Sequence, residues 1–73
     1  MSTRADSLGR LIYMANQIAR NLAMQGPEAA AHATAEHILK YWDPRMKAMI
    51  LAYDGDALEP ITRAAIERIR QPA

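Results

Sequence analysis

Three interruptions, Gly26-Pro27, Asp43-Pro44 and Asp54-Gly55-Asp56, cut this chain into short stretches, and those stretches space their apolar residues at intervals of three and four. The first stretch places Leu8, Leu11, Ile12, Ala15, Ile18, Ala19 and Leu22 along one face, with Asp6 or Ser7 as its N-cap. Gly26 offers the left-handed conformation that ends helices, and Pro27 cannot continue one. Pro27 can open the next helix, because its missing N–H is not needed there, and Glu28 complements the positive end of the dipole. In that second stretch Ala31, Thr34, Ala35, Ile38, Tyr41 and Trp42 share a face.

Asp43 as N-cap and Pro44 at the first helical position restart the chain a third time, with Met46, Met49, Ile50 and Tyr53 as the apolar stripe. Asp56 and Glu59 stand at the spacing of a capping box before a fourth stretch. There Leu58, Ile61, Ala65 and Ile69 face inward, and Arg63, Glu67 and Arg70 form a charge ladder outside. The helices are thus expected over 7–25, 28–42, 44–54 and 57–70, within a single domain spanning 1–73. No alternating β-branched run occurs, and the chain has neither valine nor phenylalanine. The expected fold is all-α, a small bundle of about four short helices.

Size limits what such a bundle can do alone. A chain of 73 residues makes one small domain that buries only ~60% of its unfolded surface. There is no cysteine and there are two histidines, so disulfides, zinc fingers, thiolate iron–sulfur sites and cysteine nucleophiles are excluded. Stability must come from well-formed helices, self-association or a larger partner. Nine Lys/Arg against eight Asp/Glu leave a net charge of +1, too balanced for a chain devoted to neutralising phosphates. The longest uncharged apolar run, Ala48 to Tyr53, is far short of the ~20 residues a bilayer needs. The opening Met-Ser-Thr-Arg-Ala-Asp lacks the apolar region of a secretory signal, so the expected location is the cytoplasm, away from membranes.

Few residues invite chemistry. His32 and His37 project about 140° apart on a helix and do not share an ion easily, whereas His32 and Glu36 suit an ordinary i, i+4 pair. No Ser/His/Asp set and no pair of carboxylates in a pocket can be argued. The informative residues are of interface type. Tyr13, Gln17, Arg20 and Met24 recur at helical spacing on the face opposite the first stripe, with Asn16 beside them, and Tyr, Met and Arg are enriched at protein interfaces. Trp42 is the only tryptophan and adjoins Tyr41. A lone Trp is commonly a core anchor, yet Trp and Arg are also the commonest hot-spot residues, so Trp42 at the corner with Arg45 reaching outward serves either purpose. His37, at the edge of the second helix, suits a structural hydrogen bond or a partner's carbonyl. The methionines at 14, 46 and 49 read as gap-filling core residues.

Two stretches, Met14-Ala15-Asn16-Gln17-Ile18-Ala19 and His37-Ile38-Leu39-Lys40-Tyr41-Trp42-Asp43-Pro44-Arg45-Met46-Lys47, closely resemble the signature of the formate dehydrogenase delta subunit family. The resemblance runs from Leu8 to Tyr53, with a weaker match in Leu-Glu-Pro-Ile-Thr-Arg at 58–63, and the W-x-P-R-M string is its specific part. The chain departs from the family at Arg20-Asn21-Leu22, where many relatives carry aromatic residues, so details of a contact there differ.

The resemblance implies a small accessory chain of the soluble, molybdenum-dependent, NAD-linked formate dehydrogenases, which oxidise formate to carbon dioxide. Molybdopterin, iron–sulfur clusters, FMN and NAD are then expected on the alpha, beta and gamma subunits and none on this chain. The expected contacts with the catalytic alpha subunit come from two regions. The first motif supplies Met14, Asn16 and Gln17, and the outward column of the same helix adds Tyr13, Arg20 and Met24. The second supplies His37, Tyr41, Trp42, Pro44, Arg45 and Met46. A stand-alone homo-oligomeric bundle is the rival reading. A helix-turn-helix built on Arg45 and Lys47 is disfavoured by the near-neutral charge, so nucleic acid is not an expected partner.

Overall fold

The computed structural model describes the backbone of residues 3–71 and the side chains of residues 7–71. Four α-helices follow one another: α1 (Thr3–Leu22), α2 (Pro27–Tyr41), α3 (Pro44–Ala52) and α4 (Pro60–Arg70), with a 3-10 turn at Ala23–Gln25 and no strand among the described residues. α2 and α4 share the most extensive interface, α1 packs across α2, α3 and α4, and α3 also touches α4.

Helix boundaries depart from the sequence expectation at six places, two of them the ends of α2, which runs over Pro27–Tyr41 instead of 28–42. α1 starts at Thr3 rather than 7, because no breaker stands between Thr3 and Asp6, and the expected caps Asp6 and Ser7 lie inside the helix. It also stops at Leu22, where a tighter 3-10 turn takes over as far as Gln25. α3 ends at Ala52, before Tyr53. α4 begins at Pro60 with Glu59 as its N-cap residue, so the capping box from Asp56 does not form and Leu58 lies in the preceding loop. Proline at the first position decides this start, since its ring disfavours helical geometry in the residue before it.

Among the described residues, Gly26 carries the one reversal of backbone hand. Its φ of 99° and ψ of 153° are not the left-handed helical values expected. They lie in an extended region that essentially only glycine enters. That geometry ends the 3-10 turn and starts α2 at once.

Leu11, Ala15, Ile38, Trp42, Ile50, Leu58 and Ile66 form the core, with Ile12, Met14, Ile18, Met46, Met49, Leu51, Tyr53 and Ile69 packed around it. On α2 the buried residues are Ala30, Ala31, Thr34, Ala35 and Ile38, and Trp42 closes the row just past the helix end. Tyr41 departs from the expected inward face and is 67% exposed. It belongs to the i, i+4 row of Ala33 and His37, which runs along the margin of the covered arc. On α4 the buried centre is Thr62, Ala65 and Ile66, with Ile61 and Ile69 as half-buried flanks.

Candidate functional site

α1 presents Ser7, Arg10, Leu11 and Met14 at helical spacing, and α3 presents Arg45, Met46 and Met49 opposite them. Between the two rows lies an open groove of about 480 Å³ lined by these seven residues. Leu11 forms part of the buried core, whereas Met14, Met46 and Met49 are only partly covered. Ser7, Arg10 and Arg45 are exposed at the groove. The two sequence motifs thus meet in one surface feature through Met14, Arg45 and Met46, although Arg45 follows Met14 by 31 positions.

Local chemistry fixes α3 as one wall. Asp43 Oδ1 accepts a hydrogen bond from the Met46 backbone N–H at 2.9 Å, and Pro44 occupies the first helical position. Lys47 Nζ donates to the Leu39 carbonyl at 3.4 Å, tying α3 back to α2. At the other end Arg70, expected only in an outward charge ladder, donates to the Leu51 carbonyl at 2.9 Å and to that of Tyr53 at 2.6 Å. Those carbonyls end a helix and lack helical partners, so the guanidinium satisfies them from α4. Arg70 also keeps its expected pair with Glu67 at 3.4 Å.

α1 is held to the α3–α4 connection by a second set of bonds. Asn16 Nδ2 donates to the Ala57 carbonyl and Asn16 Oδ1 accepts from the Glu59 N–H, both at 3.0 Å. Arg20 Nε donates to Glu59 Oε1 at 3.1 Å, and its Nη2 pairs with Oε2. The hydrogen bond and charge of Arg20 hold the Glu59 carboxyl below the ordinary glutamate range, and Glu59 in turn raises the arginine. Within the connection, Tyr53 Oη accepts from the Ala57 N–H at 3.0 Å and Arg63 Nη2 donates to the Gly55 carbonyl at 2.8 Å. A Cβ at Gly55 would collide with the Tyr53 ring and hydroxyl, so a larger residue there displaces the tyrosine from its bond with the Ala57 N–H.

These contacts redistribute the residues expected to bind a partner. Asn16 and Arg20 spend their polar groups inside the chain. Trp42 is 5% exposed, so the corner reading holds only in its core-anchor form and the indole offers no contact surface. Met24 is almost fully exposed, but it lies in the 3-10 turn beyond the end of α1, so the expected column through Tyr13, Gln17, Arg20 and Met24 is not one continuous helical face. Tyr13 is exposed and Gln17 half-buried. His37 and Tyr41 form a ring pair at 4.8 Å with Lys40 Nζ 5.9 Å from the Tyr41 ring centre, an aromatic patch on α2 apart from the residues that line the groove. Pro44 is exposed at the start of α3.

Arg10, Leu11 and Met49 belong to the groove but were not singled out as contact residues. Their signal was present in the i, i+3, i+4, i+7 row from Ser7 to Met14 and in the Met46–Met49 stripe. Which two stripes face each other is a tertiary fact. A second depression of about 600 Å³ lies between α2 and α4. Its lining of Glu28, Glu67, Arg68 and Gln71 mixes charges, with no apolar side chain larger than Pro27, and contains no motif residue.

Among the described residues no three His, Asp or Glu side chains group as metal ligands. His32 and Glu36 make the simple i, i+4 pair, Nε2 to Oε2 at 3.7 Å. No described helix is long and apolar enough to cross a membrane. The groove's lining is one serine, two arginines, one leucine and three methionines. No curated protein and no solved structure matches the chain. Residues 10–66, which include every groove residue except Ser7, match the family described as "NADH-dependant formate dehydrogenase delta subunit FdsD". On the extent of that match, the chain belongs to the delta-subunit family of the NADH-dependent formate dehydrogenases.

Proposed function

We propose that this chain is a non-catalytic accessory subunit that docks on the catalytic alpha subunit of a molybdenum-dependent formate dehydrogenase through the groove between α1 and α3. The observation that carries the reading is the meeting of Met14 with Arg45 and Met46 across an uncovered apolar surface. Methionine side chains are flexible and polarizable, so such a surface adapts to an inserted partner side chain. The role is to support assembly, cofactor maturation or stability of the complex in the cytoplasm.

Molybdopterin, iron–sulfur clusters, FMN and NAD belong, on this reading, to the alpha, beta and gamma subunits. The residues of this chain do not fit those groups: it has no cysteine to supply thiolates, and its two histidines stand on different parts of α2. The chain's own contribution is geometric, a rigid four-helix body whose α3 wall is held at both ends.

Co-expression of the tagged full chain with the alpha subunit tests the proposal. Wild type retains the alpha subunit. Met14→Ser with Met46→Ser weakens retention about thirtyfold, the cost of truncating a buried hot spot. Formate oxidation and molybdenum content of the enzyme fall when the chain is omitted. Unchanged retention by a variant of intact helicity overturns the groove as docking site. A stable symmetric homo-oligomer indifferent to the alpha subunit overturns the accessory role.

A further inference from the structure

The docking reading leaves open what enters the groove, and the charges at its margin bear on that. Arg10 and Arg45 both line it, both are exposed, and neither makes an ion pair among the described residues. Arg20 is paired with Glu59, Arg63 is bonded to the Gly55 carbonyl, and Arg70 closes the end of α3. Arg68 makes no ion pair among the described residues either, but it borders depressions that carry Glu28, Glu36 and Glu67, whereas no acidic residue lines the α1–α3 groove.

Arg45 also stands in a place where local physics disfavours it. It is the second residue of α3, directly after Pro44. A cation there opposes the positive end of the helix dipole, where acidic residues are preferred. Asp43 caps that end through the Met46 N–H. Sites that break a local rule without an internal compensation are where function is expected.

The groove's walls narrow the class of occupant. Both are helices, and the described residues contain no strand, so an extended peptide finds no sheet edge to join. The α1 wall runs from Ser7 to Met14, about 10 Å at the helical rise, enough for roughly two turns of a docked helix. Helix-in-groove recognition uses apolar anchors at three- and four-residue spacing, which matches a floor of leucine and methionine. Cations on both walls then call for carboxylates flanking those anchors.

We propose, resting on the docking reading above, that the groove receives an acidic amphipathic helix of another formate dehydrogenase subunit. Its apolar side chains lodge among Leu11, Met14, Met46 and Met49. Its carboxylates pair with Arg10 and Arg45, which set orientation and exclude basic or neutral competitors.

The test uses the full chain co-expressed with the enzyme's other subunits. Arg10→Glu with Arg45→Glu reduces co-purification more than tenfold, while Arg10→Lys with Arg45→Lys retains most of it. Glutamate at both positions suits the N-terminal half of a helix, so the fold survives, as circular dichroism would verify. Wild-type association weakens as salt rises. A photo-cross-linking residue in place of Ser7 captures a partner peptide with helical apolar spacing and net negative charge.

If the glutamate pair binds like wild type while Met14→Ser with Met46→Ser does not, the groove docks an uncharged segment and this inference fails alone. If both pairs bind like wild type, the docking reading fails with it. Loss with the glutamate pair only, or capture of a basic or neutral peptide, also overturns the acidic helix.

Discussion

The interface between α2 and α4 and the one between α1 and α3 solve opposite problems. α2 and α4 bury Ala30, Ala31, Thr34, Ala35, Thr62, Ala65 and Ile66, mostly small side chains that let helices approach closely. α1 and α3 meet over Leu11, Met14, Met46 and Met49 and leave about 480 Å³ open between them. The first interface sets the fold, and the depression at its margin is lined by charged and small side chains rather than by an apolar floor. The second carries bulkier, softer residues than its geometry covers, and the proposed docking rests on that surface.

Over-filling is the strongest way to break that contrast. Ala65 is fully buried, so Ala65→Leu should cost about 1–3 kcal/mol, although leucine is a good helix former. Met49→Leu on the open side should change stability by less than about 1 kcal/mol. Thermal unfolding followed by circular dichroism measures both, at about 4–8 °C per kcal/mol for a domain this size. Equal losses at the two sites would erase the distinction.

A smaller effect is expected from the clasp that joins α1 to the α3–α4 connection. Asn16→Ala leaves the Glu59 N–H and the Ala57 carbonyl without their partner and should cost about 1–2 kcal/mol in a urea titration. If the variant is as stable as wild type, the asparagine does not hold α1 to the connection and is free for a partner.

The α2–α4 interface contains two removable imperfections. The Thr34 and Thr62 hydroxyls are buried with no hydrogen-bond partner. Thr34→Val keeps the branched shape, deletes the orphaned hydroxyl and should raise stability by about 1 kcal/mol. A loss instead would reveal a polar contact for that oxygen.

The smallest effect concerns Arg20 and Glu59, whose pair is solvent-exposed and screened by salt. Glu59 titrates lower in the folded chain than in the unfolded one. Its contribution is therefore present above the ordinary glutamate value, ~4.3, and is lost as pH falls through the lower folded value. The unfolding midpoints of wild type and Glu59→Gln should differ near neutrality and converge as pH falls below the ordinary glutamate range. A constant gap across that range would remove the ion pair as its cause.

Much of the architecture was legible because it is local. Pro27 and Pro44 start helices wherever they stand, and the apolar rhythm of α1 identifies its inner face without reference to the rest of the chain. Tyr41 shows where periodicity runs out. Its angle on α2 is close to that of buried residues, but a neighbour covers only part of that arc. Asn16 shows a different limit. A polar residue in mid-helix was visible as unusual, but its partners are 41 and 43 residues away. No rule of spacing pairs an asparagine with one loop carbonyl rather than with another protein.

The amino-acid order alone determined four helices, their breaks, the lack of thiolate chemistry and the two motifs that mark the family. Those depend on backbone sterics, residue chemistry and short-range spacing, which each segment carries with it. The tertiary structure decided that Trp42 is enclosed, that Arg70 closes α3, and that Met14 faces Arg45 and Met46 across a groove. Those depend on which helix faces meet, and that is settled only when all the apolar stripes compete for the same small core.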